Sequence, residues 1–145
     1  MLIHGRWLNC DDGIIRPVME SEVLAVGGLW MPVEFLVDTG ADRTVFSAEI
    51  LRTLALPHFP ISNQLGGVGG MASTVAVGTH IRLSLGGGAT IAFQGTFAGF
   101  TDPASLDMSV LGRDIMNLFA VVVDGPGDLV CMIGKGHRYT IAKEP

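Results

Sequence analysis

Glycine, proline, asparagine and aspartate interrupt this chain so often that long helices have little room to form. The 145 residues include 20 glycines and 7 prolines, and the runs between them are short and rich in Val, Ile, Leu and Phe. Such runs, bounded by turn-forming residues, indicate strands. The pattern predicts an all-β domain, either a closed barrel or a sandwich. A chain of this length predicts one domain, residues 1–145.

The predicted strands are, in chain order, Leu2–Leu8, Ile14–Pro17, Glu22–Val26, Met31–Val37, Thr74–Val77, Ile81–Leu85, Ile91–Phe97, Met108–Leu111, Ala120–Val123, Leu129–Ile133 and Arg138–Ala142. The Asp124–Asp128 turn is expected to join two of them as a hairpin. Only two segments are predicted as helices. Ala48–Leu54 has Ser47 as its N-cap and Pro57 beyond its end, and Arg113–Leu118 is the second.

Composition excludes several classes of protein. Hydrophobic residues make up 48% of the chain and charged residues 16%, the opposite of the balance that disorder requires. The net charge of −5 disfavours nucleic-acid binding, which normally uses a basic face. The apolar stretch Val23–Val37 is too short to span a membrane and contains Pro32 and Glu34. We expect a soluble, cytoplasmic protein, or a soluble domain of a longer parent, with Cys10 and Cys131 reduced.

The candidate chemistry lies where an apolar strand ends in a carboxylate. In the stretch from Phe35 to Phe46, Phe-Leu-Val is followed by Asp38-Thr39-Gly40-Ala41-Asp42. A charge at the tip of a buried strand is costly unless it is paired or used. Taken alone, Asp-Thr-Gly also fits a structural turn in which Asp38 binds the amides beyond it.

Two further segments accompany this motif. The first, Leu65-Gly-Gly-Val-Gly-Gly-Met71, is predicted as a hairpin tip whose backbone can approach a ligand. Its Gly-x-Gly-x-x-Ala pattern also fits a dinucleotide fingerprint, but that motif must open a helix, and strand-like sequence follows here. The second segment is Val110-Leu-Gly-Arg-Asp-Ile115.

Together, in this order, the three segments resemble the retroviral-type aspartic proteases (retropepsins) and their bacterial relatives. The resemblance covers about residues 33–119. It implies a closed acid-protease β-barrel with one or two short helices and a flap hairpin over the site, formed by the glycine-rich segment. It also implies an aspartic endopeptidase that acts on peptide or unfolded polypeptide.

The resemblance further implies a homodimer, because the chain holds one Asp-Thr-Gly and this chemistry uses two carboxylates. Asp38 and its copy would share one proton, activate water and polarise the scissile carbonyl, with no cofactor or metal. Thr39 would join the two active-site loops, and Gly40 would leave room for substrate and bind its backbone. The strand joining the copies is expected to be Arg138–Ala142, with Leu2–Leu8 as the second choice.

Substrate binding is assigned by the same resemblance to both sides of the cleft. The residues expected to contact substrate are Ala41, Asp42, Gly66, Gly67, Val68, Met108 and Val110. Asp42 is also expected to form a partly buried structural ion pair with Arg113, whose loss would cost about 3–5 kcal/mol. Arg43 is expected to make the site tolerant of acidic side chains near the cut.

Other interpretations of the chain remain open. It could be a catalytically weak peptide-binding or dimerisation module with the same fold, or a domain that cuts only its own precursor. The four histidines, His4, His58, His80 and His137, lack metal-ligand spacing and are interpreted as structural or surface residues.

Overall fold

The computed structural model describes residues 1–61, 65–67, 70–72, 74–134 and 142. Strand makes up 54% and helix 11%, which confirms the all-β class. The strands are β1 (Leu2–His4), β2 (Arg6–Asn9), β3 (Ile15–Leu24), β4 (Trp30–Val37), β5 (Val45–Phe46), β6 (His58–Pro60), β7 (Leu65–Gly67), β8 (Gly70–Ala72), β9 (Thr74–Gly86), β10 (Ala89–Phe100), β11 (Val110–Leu111), β12 (Ala120–Asp124) and β13 (Leu129–Ile133). The helices are α1 (Ala48–Leu54) and α2 (Arg113–Met116), and Val26–Gly28 forms a 3₁₀ turn.

Six strands close into a barrel. Their order is β3-β4-β11-β5-β10-β9, and β9 pairs back onto β3 to complete the ring. β11 runs parallel to β4 and β5 runs parallel to β10, whereas the other pairs of the ring are antiparallel. β2 and β6 extend the sheet outside the ring, β7 pairs with β8, and a separate sheet has the order β1-β13-β12. This closed barrel is the one that the resemblance implied.

Two barrel strands are longer than predicted, because polar residues that seemed to interrupt them are satisfied inside the barrel. Ser21 lies within β3 and is buried, and its hydroxyl donates to the Val33 carbonyl at 2.8 Å. Thr79 lies within β9 and donates to the Leu24 carbonyl at 2.6 Å. A buried hydroxyl with a partner costs little, so each pair of predicted strands is one continuous strand.

The predicted strand Leu2–Leu8 is instead two strands that belong to different sheets. They meet at Gly5, whose amide donates to the Val130 carbonyl at 2.8 Å. A Cβ atom at Gly5 would lie 2.4 Å from the Val18 carbonyl oxygen, so only glycine lets the chain pass between the two sheets here. β11 is also shorter than predicted, since Met108 and Ser109 precede it.

The core fills the barrel interior and continues under the hairpin β12–β13. Phe46 packs against Phe35 and Phe97, with ring centroids 5.8 and 6.0 Å away. Alternate residues of β9 point into this core, as the period of a strand requires. The core therefore supports β4 and β11 from behind, and these are the strands that carry the candidate site.

The predictions for the helices and the last hairpin can be compared directly. α1 begins after Ser47, whose hydroxyl accepts the Ile50 amide, so the N-cap is confirmed. α2 is shorter than predicted and ends at Met116. The hairpin β12–β13 is confirmed, whereas the predicted strand Arg138–Ala142 lies outside the described residues except for Ala142. Within the part of the chain that is described, no helix has the length and apolar character to cross a membrane.

Candidate active site

Strand β4 delivers Asp38 to the open end of the barrel. The Asp38 amide donates to the Leu111 carbonyl at 3.3 Å, continuing the pairing of β4 with β11. The chain then turns, and the Ala41 amide donates to the Asp38 carbonyl at 3.1 Å. One carboxylate oxygen of Asp38 accepts the Gly40 amide at 2.9 Å. Asp38 is half-buried, whereas Thr39 and Gly40 are exposed.

The turn expected for a purely structural Asp-Thr-Gly is therefore present, but it occupies only Oδ1 of Asp38. Oδ2 has no hydrogen-bond partner among the described residues. This leaves one carboxylate oxygen available at the open end of the barrel. Such an oxygen can accept a proton from water or face a second carboxylate.

The backbone of α2 holds the segment that follows. The Arg113 amide donates to the Ala41 carbonyl at 2.9 Å, and the Asp114 amide donates to the Asp42 carbonyl at 3.2 Å. The first amides of a helix have no partner within the helix, so loop carbonyls are natural acceptors. The loop 38–44, which we call the Asp38 loop, is thus fixed against the start of α2.

A second set of bonds links Asp114 to the far end of this loop. The Asp114 carboxylate accepts the Thr44 amide at 2.9 Å and the Thr44 hydroxyl at 2.7 Å, and it also accepts the Ile115 amide at 2.9 Å. The Thr44 hydroxyl in turn accepts the Gly112 amide at 3.1 Å. Thr44 is fully buried. Charge-assisted bonds to a buried partner hold both ends of the contact in one geometry.

Gly112 is required where α2 meets the Asp38 loop. A Cβ atom there would lie 2.2 Å from the Arg43 carbonyl carbon and 2.7 Å from the Thr44 nitrogen. The backbone φ of Gly112 is −100°, so the requirement is space rather than a left-handed conformation. The Leu-Gly-Arg-Asp-Ile segment thus contains one residue that permits close approach and one that bonds across it.

Arg113 and Asp42 form the expected ion pair, but it is not buried. Arg113 Nη2 bonds to Asp42 Oδ1, and the two side chains are 43% and 80% exposed in the single chain. The expected cost of 3–5 kcal/mol for losing this pair is therefore wrong, because water screens it and solvates either charge alone. Arg113 Nη1 also donates to the Thr39 carbonyl at 2.8 Å, so Arg113 holds the Asp38 loop by two contacts.

The residues expected to contact substrate are only partly brought together. Ala41 is half-buried in the Asp38 loop, and Val110 is buried in β11, which neighbours β4. Met108 lines a separate cavity of about 630 Å³, together with Arg16, Glu34 and Glu49. None of Asp38, Thr39 and Gly40 lines that cavity.

The glycine-rich segment forms the predicted hairpin where it is described. Gly66 pairs with Met71 and Gly67 pairs with Gly70 in the antiparallel pair β7–β8. Val68, which was expected to contact substrate, lies outside the described residues. The side chain of Arg43 is exposed and forms no ion pair with any residue that the structure describes.

Sequence reasoning missed Thr44, Asp114 and the buried Ser109. The Ser109 hydroxyl accepts the Ser47 amide at 3.0 Å and so connects β11 to the start of α1. The available signal was the hydroxyl residue shortly after Asp-Thr-Gly together with the acid of Gly-Arg-Asp. Their bond spans 70 positions. Among the described residues, no three His, Cys, Asp or Glu side chains are placed to hold a metal ion.

A closed barrel with Asp-Thr-Gly at its open end, fixed by a Gly-Arg-Asp helix start, defines an aspartic-protease fold. Residues 23–115 match the family described as Aspartyl protease. This match covers more than half of the chain, so the chain belongs to the aspartyl protease family. No curated protein matches it.

Two solved structures are similar in fold. The EIAV protease, complexed with the inhibitor HBY-793, is 24% identical with a TM-score of 0.55, and the match covers 70% of this chain and 86% of that chain. A retropepsin-like aspartic protease from Rickettsia conorii is 19% identical, also with a TM-score of 0.55. That match covers 90% of this chain and 96% of the other. The resemblance drawn from the three sequence segments is confirmed.

Proposed function

We propose that this protein is an aspartic endopeptidase whose active site forms between two identical chains, with Asp38 of each as the catalytic pair. The observation that carries the proposal is the Asp38 carboxylate itself. It stands at the open end of the barrel, on a loop that α2 fixes at both ends, with one oxygen free of partners among the described residues. The chain contains one Asp-Thr-Gly, so a complete pair requires a second copy.

The mechanism follows from placing two carboxyl groups close together. Like charges a few ångströms apart cannot both ionise readily, so the pair holds one proton between them. The ionised member accepts a proton from a bound water as that water attacks the scissile carbonyl. The protonated member donates a hydrogen bond to the carbonyl oxygen and stabilises the charge that develops there.

The remaining residues of the motif have supporting roles in this proposal. Thr39 joins the Asp38 loops of the two copies, and Gly40 lets the substrate backbone approach. An extended substrate adds as a strand between Gly40 on one side and Gly66 and Gly67 of the flap hairpin β7–β8 on the other. The proposed apolar walls flanking the scissile bond are Ala41, Val68, Met108 and Val110, with Asp42 at their edge.

The test compares wild-type protein with Asp38→Asn on unfolded casein between about pH 3 and pH 7. We expect wild type to give a bell-shaped rate profile whose two apparent pKa values belong to the pair. Asp38→Asn removes the shared proton chemistry and should lower the rate at least about 100-fold. Asp11→Asn, which changes an exposed aspartate outside the Asp38 loop, serves as the matched control.

A light-scattering mass and a statine-type inhibitor complete the test. A dimer mass with inhibition of the wild-type rate supports the proposal. Equal and negligible cleavage by wild type and Asp38→Asn would contradict it and favour the peptide-binding module. A monomer that cleaves casein would contradict the two-chain site.

A further inference from the structure

The outer edge of β12 has no partner strand among the described residues. The sheet order β1-β13-β12 places β13 in the centre and β12 at one side. β12 reads Ala-Val-Val-Val-Asp, and Val123 is 44% exposed. Proteins normally protect a free edge with lysine, proline or a covering segment, because it is a ready template for another strand. Ala120–Val123 carries neither charge nor proline.

The pairing of β13 shows which backbone groups of β12 point outward. The Val130 carbonyl accepts the Gly5 amide, and the Gly134 amide donates to the Met1 carbonyl, so these β13 positions face β1. In an antiparallel ladder, alternate residues face opposite neighbours. Cys131, which is paired with Val122, therefore faces β12. Val122 is hydrogen-bonded to β13, and the amides and carbonyls of Val121 and Val123 point to the free edge.

We propose that a second copy of the chain adds to this edge, with β12 antiparallel to β12 around a two-fold axis at Val122. Val121 then pairs with Val123 of the second copy, and Val123 pairs with its Val121. This register forms four hydrogen bonds and uses every outward backbone group of the valine run. Centring on Val121 or Val123 instead would leave half of those groups beyond the end of the opposing strand.

This inference rests on the proposed function, because the pairing of copies matters to the site only if two Asp38 residues are needed. β12 is coupled to the Asp38 loop through a short path. α2 bonds to the loop carbonyls, and β12 begins at Ala120, shortly after α2 ends at Met116. Trp7 Nε1 also donates to the Asp124 carbonyl at 3.3 Å and ties the hairpin β12–β13 to β2. An axis at Val122 therefore constrains the separation of the two carboxylates.

The first experiment removes one outward amide without disturbing the hairpin. Val123→Pro deletes an amide that points away from β13, and the residue before a proline is compatible with a strand. By symmetry the dimer loses two hydrogen bonds. Val123→Ala removes the same side chain but keeps the amide. We expect Val123→Pro to raise the dimer dissociation constant at least about 10- to 100-fold over Val123→Ala, measured by sedimentation equilibrium.

The second experiment tests the register by disulfide formation in a Cys10→Ser, Cys131→Ala background. Val122 lies on the axis in a pair that is not hydrogen-bonded, where Cα atoms are about 4.5 Å apart. Val122→Cys should therefore form an interchain disulfide. The two copies of Val123 are offset by two residues each way and lie about 8 Å apart, beyond the limit of about 7 Å. Val123→Cys should stay reduced.

Mass and cross-linking are recorded separately from cleavage. A monomeric Val123→Pro with a dimeric Val123→Ala, and cross-linking only at Val122, support the proposal even if neither protein cleaves casein. A Val123→Pro protein that dimerises like Val123→Ala overturns it. Cross-linking at Val123 but not at Val122 also overturns it, as does a dimer that cross-links at neither position.

Discussion

Asp114 and Asp42 both contact the junction between α2 and the Asp38 loop, yet their removal should have very different effects. Asp114 accepts bonds from the Thr44 amide, the Thr44 hydroxyl and the Ile115 amide. Asp42 contributes one ion pair in which its own side chain is 80% exposed. We expect Asp114→Ala to destabilise the fold strongly and Asp42→Ala to leave it nearly unchanged.

The magnitude follows from what each substitution leaves behind. Thr44 is fully buried, so Asp114→Ala leaves its amide without an acceptor, which costs about 1–3 kcal/mol. Loss of the charge-assisted bond from the Thr44 hydroxyl adds a similar amount, reduced because Asp114 itself is exposed. Together they give about 2–4 kcal/mol, against about 0–1 kcal/mol for Asp42→Ala.

Thermal unfolding at one fixed protein concentration measures the difference, because a dimer's stability depends on concentration. For a chain of this size, 1 kcal/mol corresponds to roughly 2–4 °C. Asp114→Ala should therefore lower the melting temperature by about 4–16 °C and Asp42→Ala by at most about 4 °C. Adding Thr44→Val should give a coupling free energy of about 1 kcal/mol or more with Asp114→Ala.

The result that would refute this reasoning is equal destabilisation by Asp114→Ala and Asp42→Ala. It would mean that water replaces Asp114 at no cost and that the carboxylate does not hold the loop. A zero coupling energy with Thr44→Val would lead to the same conclusion for the hydroxyl bond alone.

Three further predictions concern other parts of the chain. Gly112→Ala should destabilise by more than about 2 kcal/mol in urea unfolding, since its Cβ would overlap the Arg43 carbonyl carbon at 2.2 Å. Gly78→Ala, where nothing lies within 4 Å, should be neutral or stabilising. Arg43→Ser should reduce cleavage of peptides with acidic side chains near the scissile bond severalfold, compared with matched neutral peptides. Hydrogen bonds from Arg16 lower the pKa of Asp12 from 3.8 to about 2, so its contribution to stability is present above about pH 4 and lost as pH falls through 2, which NMR titration of Asp12 and of its Arg16→Gln variant measures.

Each of these has a clear contrary outcome. Equal stability of Gly112→Ala and Gly78→Ala would show that the close approach of α2 is not needed. An unchanged cleavage profile in Arg43→Ser would remove the role assigned to that residue. An Asp12 titration that stays near 2 in the Arg16→Gln variant would show that Arg16 is not the cause of the low pKa.

Local pattern was enough to locate the fold class and the candidate catalytic residue. Short β-like runs predicted a β-barrel, and Asp38 at the end of an apolar strand predicted a carboxylate at the barrel's open end. Ser47 was recognised as an N-cap for the same reason. Each of these signals lies within a few neighbouring residues, and backbone preferences and hydrogen bonds over that range depend little on the rest of the molecule.

Contacts between distant segments could not be obtained in this way. The bond from Thr44 to Asp114, the exposure of the Asp42–Arg113 pair and the inward hydroxyls of Ser21 and Thr79 depend on which strands become neighbours. Burial and pairing are properties of the assembled barrel, because a side chain's cost is set by its surroundings. The one-dimensional pattern therefore determined which residue carries the acid, and the tertiary structure decided what holds that acid in place and which edge is left for a second copy.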